Sequence, residues 1–388
     1  MLLLWVLALT GSRWPPIALA AVLAYTLALR IRLKGKTADS LCWCRGLAFV
    51  LAGYVAVAAL IALGGSDWGV SPLGRFFEAA SDDSGQAGVR RYLWKHAWIA
   101  FTEAPLIGVG IGGYRGRMFA NSEQLAYMNV TGMDPNAHNL LLHLMAETGL
   151  IGAVCALAVL GLIACSLATR PPRTRTLMAA SAFIVFMVYS AVEYPLWYAH
   201  LIVVFAVLVS IDGAASVQTV RRLLGPALIA GLMLFWFAVA ADWWELRRLT
   251  RAATDPKTLG TFVQQREQEN PRWIRGLLRP LKELVLWEGI PLAAVEPRAA
   301  ALELDRIASH SPTEIMVFHH VTALWAAGRH ADAITIARRA AVAMPKLLTP
   351  IENEVERRRL LGDTAWEGLA DAIAKVRKER KIDSPLPN

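Results

Sequence analysis

Charge is scarce in this sequence. Asp, Glu, Lys and Arg make up 18% of its 388 residues, against 55% hydrophobic residues. That shortage excludes an ordinary soluble domain, yet the mixture is too polar for a pure bundle of spans, so the composition implies a membrane half joined to a water-soluble half. Cysteine is scarce too. The four fall in pairs, Cys42/Cys44 and Cys155/Cys165, beside or within apolar runs. A C-x-C pair with no matching second half argues against a zinc site, so these read as plain thiols and no metal is expected. The net charge is +9, but no block of Lys and Arg is interleaved with aromatics, which argues against a nucleic-acid groove. The inverted repeat and the buried acidic relay of a transporter are missing as well.

What is present begins with six apolar runs near the length needed to cross a bilayer: Pro16 to Ile31, Leu47 to Leu63, Leu140 to Leu167, Leu177 to Val192, Leu196 to Ile211 and Leu223 to Ala241. Arg30, Arg32, Lys34, Lys36 and Arg45 lie between the first and second. Arg170, Arg173 and Arg175 follow the third, and Arg221 and Arg222 precede the sixth. All these short basic loops fall on one side, which the positive-inside rule makes cytoplasmic. The segment from Gly64 to Asn139, the short link from Glu193 to His200 and everything after Asp242 then face outward. The run Leu2 to Leu9 is too short to cross and has neither a basic n-region nor a small-residue cleavage site. It reads as the tail of a span that starts upstream.

Two domains are therefore expected: a membrane domain over 1–241 that includes the outward loop 64–139, and an outward helical domain over 242–388. The fold class is all-α, a polytopic membrane helix bundle with a C-terminal helical domain. Within the latter, Phe318 to Pro345 reads equally as a tetratricopeptide-type or an ordinary helical hairpin, with Ala and Leu at helical spacing, a Gly-Arg turn and a closing Pro. The tail "DSPLPN" is expected to fray.

The outward loop carries the polar groups that composition does not explain. Arg90, Trp94 and Trp98 share one helical face, which suggests an amphipathic helix at the membrane surface ended by Pro105. Gly108, Gly110, Gly112 and Gly113 then form a tight turn without a P-loop lysine or a dinucleotide-binding context, so the turn reads first as structural. Asp82 and Asp83 read as a solvated turn. His138 sits between Asn136 and Asn139 just before the third span, where a polar group is costly without a partner or a task. Arg13 stands at the outer mouth of the first complete span, where snorkelling is the simplest explanation. Arg13, Arg90 and His138 together ask for an anionic ligand at the lipid surface, and a pyrophosphate fits. His143 and Glu147, one turn apart, read as an intramembrane hydrogen bond rather than a metal site.

"LTGSR", "GVRRYLWKHAW…APLIGVGIGGY" and "NAHNLLLHLMAETGLIG" occur in the order typical of the O-antigen ligase and Wzy polymerase superfamily, which this chain resembles from about Leu9 to Ala241. "AVEYPLWYAHL" followed by a helical outward domain is similar to the bacterial protein-O-oligosaccharyltransferase branch, the PglL-type enzymes. The likeness implies an inner-membrane enzyme with its site facing the periplasm. It implies as substrate an undecaprenyl-pyrophosphate-linked glycan, and as acceptor a pilin-like periplasmic protein, with no cofactor. His138 is the expected catalytic base, because imidazole titrates near neutrality. Arg13, Arg90, Arg91, Asn136, Asn139 and Gly110 are the expected substrate-binding residues. The arginines would neutralise the leaving pyrophosphate in place of a metal. One base and direct displacement imply inversion at the anomeric carbon, unlike the paired carboxylates of glycosidases. Lipid A-core or a glycan repeat as acceptor, and a non-enzymatic membrane scaffold, are the competing readings.

Overall fold

The computed structural model describes residues 14–32, 38–63, 86–210, 218–269, 278–290 and 295–380. Arg13, the run from Leu2 to Leu9, the pair Asp82 and Asp83, and the tail "DSPLPN" lie outside them. The described residues are helical, with no strand among them. They fall into two compact units, Met1–Gly110 with Asn136–Ala215, and Ile111–Pro135 with Ser216–Asn388. The sixth apolar run and residues 111–135 fall in the second of these units.

The first unit contains α1 (Trp14–Arg32), α2 (Ala38–Leu63) and α3 (Gln86–Glu103), together with α5 (Leu140–Thr169), α6 (Thr174–Ser190) and α7 (Ala199–Ser210). Three stretches are long and apolar enough to cross a membrane: Trp14–Arg32, Leu41–Ile61 and Leu140–Thr169. α6 packs against α1, α2, α5 and α7, and Trp43 on α2 donates to the Ser181 hydroxyl on α6 (3.3 Å). α2 starts nine residues before the apolar run, because Arg45 and its polar neighbours end the hydrophobic stretch without breaking the helix. α3 has a buried and an exposed face. Leu93, Ala97 and Ala100 are buried on one face, and Trp98 is exposed on the other.

α5 is broken in its third turn. Gly149 adopts φ 65° and ψ −165° inside the helix, and the turn after α3 uses the break. The Val109 and Gly110 amides donate to the Ala146 and Glu147 carbonyls, while the Leu150 and Ile151 amides donate to the Pro105 and Leu106 carbonyls (2.8–3.2 Å). This satisfies backbone groups that a helix break would leave open, a requirement in an apolar surrounding. The contact demands glycine on both sides. A Cβ on Gly108 would lie 2.3 Å from the Glu147 carbonyl carbon, and one on Gly149 would lie 2.3 Å from that of Leu106. Both glycines also hold positive φ.

Gly149→Ala and Gly108→Ala should therefore each destabilise the protein by about 4 kcal/mol or more, combining left-handed backbone strain with a backbone collision. Gly161, which has nothing within 4 Å of an added Cβ, should accept alanine at no cost. Thermal unfolding in detergent measures the contrast, and equal melting of all three variants would contradict it.

The second unit contains α4 (Tyr114–Ala120), a 3-10 turn at Ser122–Met128, and α8 (Gln218–Ala252). It continues with α9 (Pro256–Glu269), α10 (Arg279–Gly289), α11 (Pro297–Ala308), α12 (Glu314–Ala326), α13 (His330–Ala343), α14 (Leu348–Leu360) and α15 (Glu367–Arg380). α8 is one helix of 35 residues, so the chain leaves its apolar run at Asp242 without leaving the helix. Asp242 accepts from the Leu278 amide (3.0 Å) and pairs with the buried Lys282 ammonium (2.9 Å), which ties α8 to α10. α12 and α13 form the expected hairpin, turned at Gly328 with φ 79°. The alanines of α13 (Ala333, Ala337, Ala340) are fully buried and let Val321, Leu324, Leu348, Ile351, Leu369 and Ile373 close around them. Each such large apolar side chain contributes about 1.5–3 kcal/mol by burial. Phe119 of α4 joins this core, and the Gly132 amide donates to the Ala343 carbonyl (2.9 Å). The segment 111–135 is thus folded onto the C-terminal helices.

Candidate active site

His138 occupies the residue before the cap of α5. Asn139 is the N-cap: its side-chain oxygen accepts from the Leu142 amide (3.0 Å), and its amide nitrogen donates to the Ala191 carbonyl (2.9 Å). One asparagine therefore starts the span and fastens it to the link between α6 and α7. His138 itself has φ 49°, a left-handed conformation that costs a non-glycine residue about 1–3 kcal/mol and that clusters at functional sites. The neighbours hold it there.

That link brings Glu193 to His138. The His138 Nδ1 lies 2.7 Å from Glu193 Oε2, and Arg90 Nη2 on α3 donates to Glu193 Oε1 over 2.9 Å. Each of the three side chains is about a fifth exposed. Burial alone would raise the Glu193 carboxyl, but hydrogen bonds and charge from His138 and Arg90 outweigh it and hold it below the usual carboxylate range. Tyr194 meets the His138 ring edge-on at 4.9 Å, and the Arg90 guanidinium lies 5.9 Å over the Trp14 ring. A half-buried row of cation, carboxylate and imidazole results, walled by aromatics. When the imidazole is neutral and donates Nδ1–H to Glu193, its basic lone pair lies on Nε2, the arrangement by which a carboxylate fixes a catalytic imidazole.

The other expected site residues fall unevenly around this row. Asn136 is buried, and Asn139 is committed to capping, so it positions the loop without orienting the ring directly. Arg91 follows Arg90 on the more exposed side of α3. The Gly110 amide is donated to the Glu147 carbonyl (3.0 Å), so this N–H is used within the fold. His143 and Glu147 are buried and 3.6 Å apart, too far for the hydrogen bond their spacing suggested. Reasoning from the motif around His138 does not find Glu193. One signal for it exists: it is the sole acidic residue between Arg175 and Asp212.

Two family models match the chain. Residues 1–157 match O-antigen ligase, and residues 177–349 match virulence factor membrane-bound polymerase, C-terminal. The first match contains Arg90 and His138, and the second contains Glu193. The chain belongs to the O-antigen ligase and Wzy polymerase superfamily. It is a membrane protein of the glycan-transferring ligase and polymerase kind, a class that works on lipid-linked glycans. No curated protein and no solved structure matches it.

Proposed function

We propose that this protein transfers a glycan from undecaprenyl pyrophosphate to a hydroxyl of a pilin-like periplasmic protein, with inversion. The observation that carries the reading is the Arg90–Glu193–His138 row, which joins a base to a phosphate-binding cation at 2.7 and 2.9 Å through one carboxylate. The acceptor hydroxyl gives its proton to His138 Nε2 as its oxygen attacks the anomeric carbon. The bond from that carbon to the pyrophosphate oxygen breaks, and the leaving group departs with the electron pair. Glu193 steadies the imidazolium that forms. Arg90 has five N–H donors; one goes to Glu193, and the remainder of its fork suits a diphosphate. Arg13 and Arg91 are proposed to add cationic charge, and the buried Asn136 and Asn139 to contribute to substrate binding.

The sidedness of the basic loops supports a site facing the periplasm from the inner membrane. The EYPLWY segment and the helical C-terminal unit support a protein acceptor. The polymerase match over residues 177–349 favours a second reading, in which the acceptor is a glycan or lipid A-core. Proteoliposomes holding the purified chain and the lipid-linked glycan decide between them. Offered a pilin-like protein, lipid A-core and a glycan repeat, the enzyme should label the protein. Label on either other acceptor alone would make it a ligase or polymerase. No label anywhere would leave the scaffold reading.

A further inference from the structure

The long helix α8 carries a feature that glycan transfer does not use. At 100° per residue, Trp243, Trp244, Arg247, Arg248 and Arg251 fall within an arc of about 140°, opposite Leu246, Leu249 and Ala252. The latter three are buried, whereas Trp243 and Trp244 are 53% and 62% exposed. The preceding turns expose Met233, Leu234, Phe235, Trp236 and Phe237, as a helix surrounded by lipid does. Tryptophans at the end of such a run mark the membrane–water interface.

Arginines directly beyond it run against the bias that keeps bases off the outer face, so they need a cause of their own. Among the described residues, no ion pair is recorded for Arg247, Arg248 or Arg251. The nearby acids are engaged elsewhere: Asp242 with Lys282, Glu245 with Arg266 (3.0 Å), and Asp255 with the first turn of α9 (2.9 Å). Arg248 and Arg251 line a hollow of about 400 Å³ between α8 and α9, with Thr258, Thr261, Phe262 and Gln265. The Arg248 guanidinium stands 5.9 Å over the Phe262 ring.

Depth selects the ligand. With a rise of 1.5 Å per residue, Arg248 lies about 6 Å and Arg251 about 10 Å beyond Trp244. The headgroup layer on each side of a bilayer is roughly 5–7 Å thick. Arg247 and Arg248 therefore stand at the level of lipid phosphates, and Arg251 just beyond it, where its long side chain reaches back toward them. We propose that this face of α8 and the hollow beside it bind the phosphate headgroup of an anionic phospholipid of the surrounding bilayer. This holds the second unit at a set depth on the membrane, and it stands whether or not His138 is a base.

The test uses the purified full chain in detergent, titrated with phosphatidylglycerol or phosphatidylcholine, with bound lipid counted by native mass spectrometry. Wild type should retain phosphatidylglycerol in preference. A juxtamembrane arginine contributes about five-fold in lipid binding, so R247Q/R248Q/R251Q should weaken that retention on the order of a hundred-fold. The lysine triple at the same positions keeps the charge and should stay within about five-fold of wild type, which separates loss of charge from loss of fold. R298Q/K346Q/K375Q, an equal loss of charge at exposed positions of the same unit, should change nothing. The proposal is overturned if the glutamine triple binds like wild type, or if the lysine or control triple falls as far as it does. Displacement of the lipid by millimolar inorganic phosphate would also overturn it, since the hollow would then be a site for the free anion.

Discussion

His138→Ala lowers glycan transfer by about 10²–10⁴-fold, the usual cost of losing a general base, while abundance in the membrane stays at the wild-type level. Alanine alone does not isolate the chemistry, because residue 138 holds φ 49° and any ordinary residue there carries backbone strain. Asparagine visits the left-handed region several-fold more readily than most residues and has no basic ring nitrogen. His138→Asn should therefore fold at least as well as His138→Ala and be equally inactive. His143→Ala is the internal control. That side chain is buried on α5 beside Glu147, so its loss should lower thermal stability more than turnover. The measurement is glycan transfer at matched expression, with melting temperature alongside. Near-full activity in His138→Asn would show that the left-handed backbone, and not the imidazole, is what the motif preserves.

The difference between what the chain announces and what only its folding reveals follows physical lines. His138 and Arg90 are legible because a polar group beside an apolar run is costly and so stands out in one dimension. Glu193 is not, because its partners lie 55 and 103 residues away in sequence, and only the packing of α6 brings them together. The same holds for Gly108 and Gly149. Each is visible as a glycine, but the backbone contact that forbids a Cβ joins a loop to a helix break some forty residues on. Helix ends escape the sequence for a different reason. The change to charged residues at Asp242 marks where solvent or headgroups begin, whereas the α8 backbone has no glycine or proline there to stop it and runs on to Ala252. Likewise Arg45 interrupts the apolar run but not α2. Hydropathy reports the surroundings of a helix, and its boundaries are set by caps and breakers.

Arg90→Ala should lower turnover by about 10²–10³-fold, the range typical of removing a preorganised charge stabiliser, and Arg90→Lys should lie between it and wild type because the point charge survives while the fork is lost. The magnitude alone does not identify the task. Arg90 touches Glu193 at 2.9 Å and Glu193 touches His138 at 2.7 Å, so losing the arginine also loosens the carboxylate that orients the base. A double-mutant cycle with Glu193→Gln separates the two routes. Glutamine keeps an acceptor near Nδ1 but removes the anion. Transfer should then fall by roughly ten-fold or more, as the imidazolium loses its partner and the tautomer loses its bias. If Arg90 acted only by holding Glu193, adding Arg90→Ala to Glu193→Gln would change nothing further. If its guanidinium also neutralises the departing pyrophosphate, most of the loss persists in the Glu193→Gln background. The second result is expected, because the Arg90 guanidinium has five donors and gives one to Glu193, which leaves donors for a phosphate oxygen. A cycle that closes with no residual Arg90 effect would reduce this arginine to a brace for the base and move the pyrophosphate charge to other cations, Arg13 and Arg91 first among them.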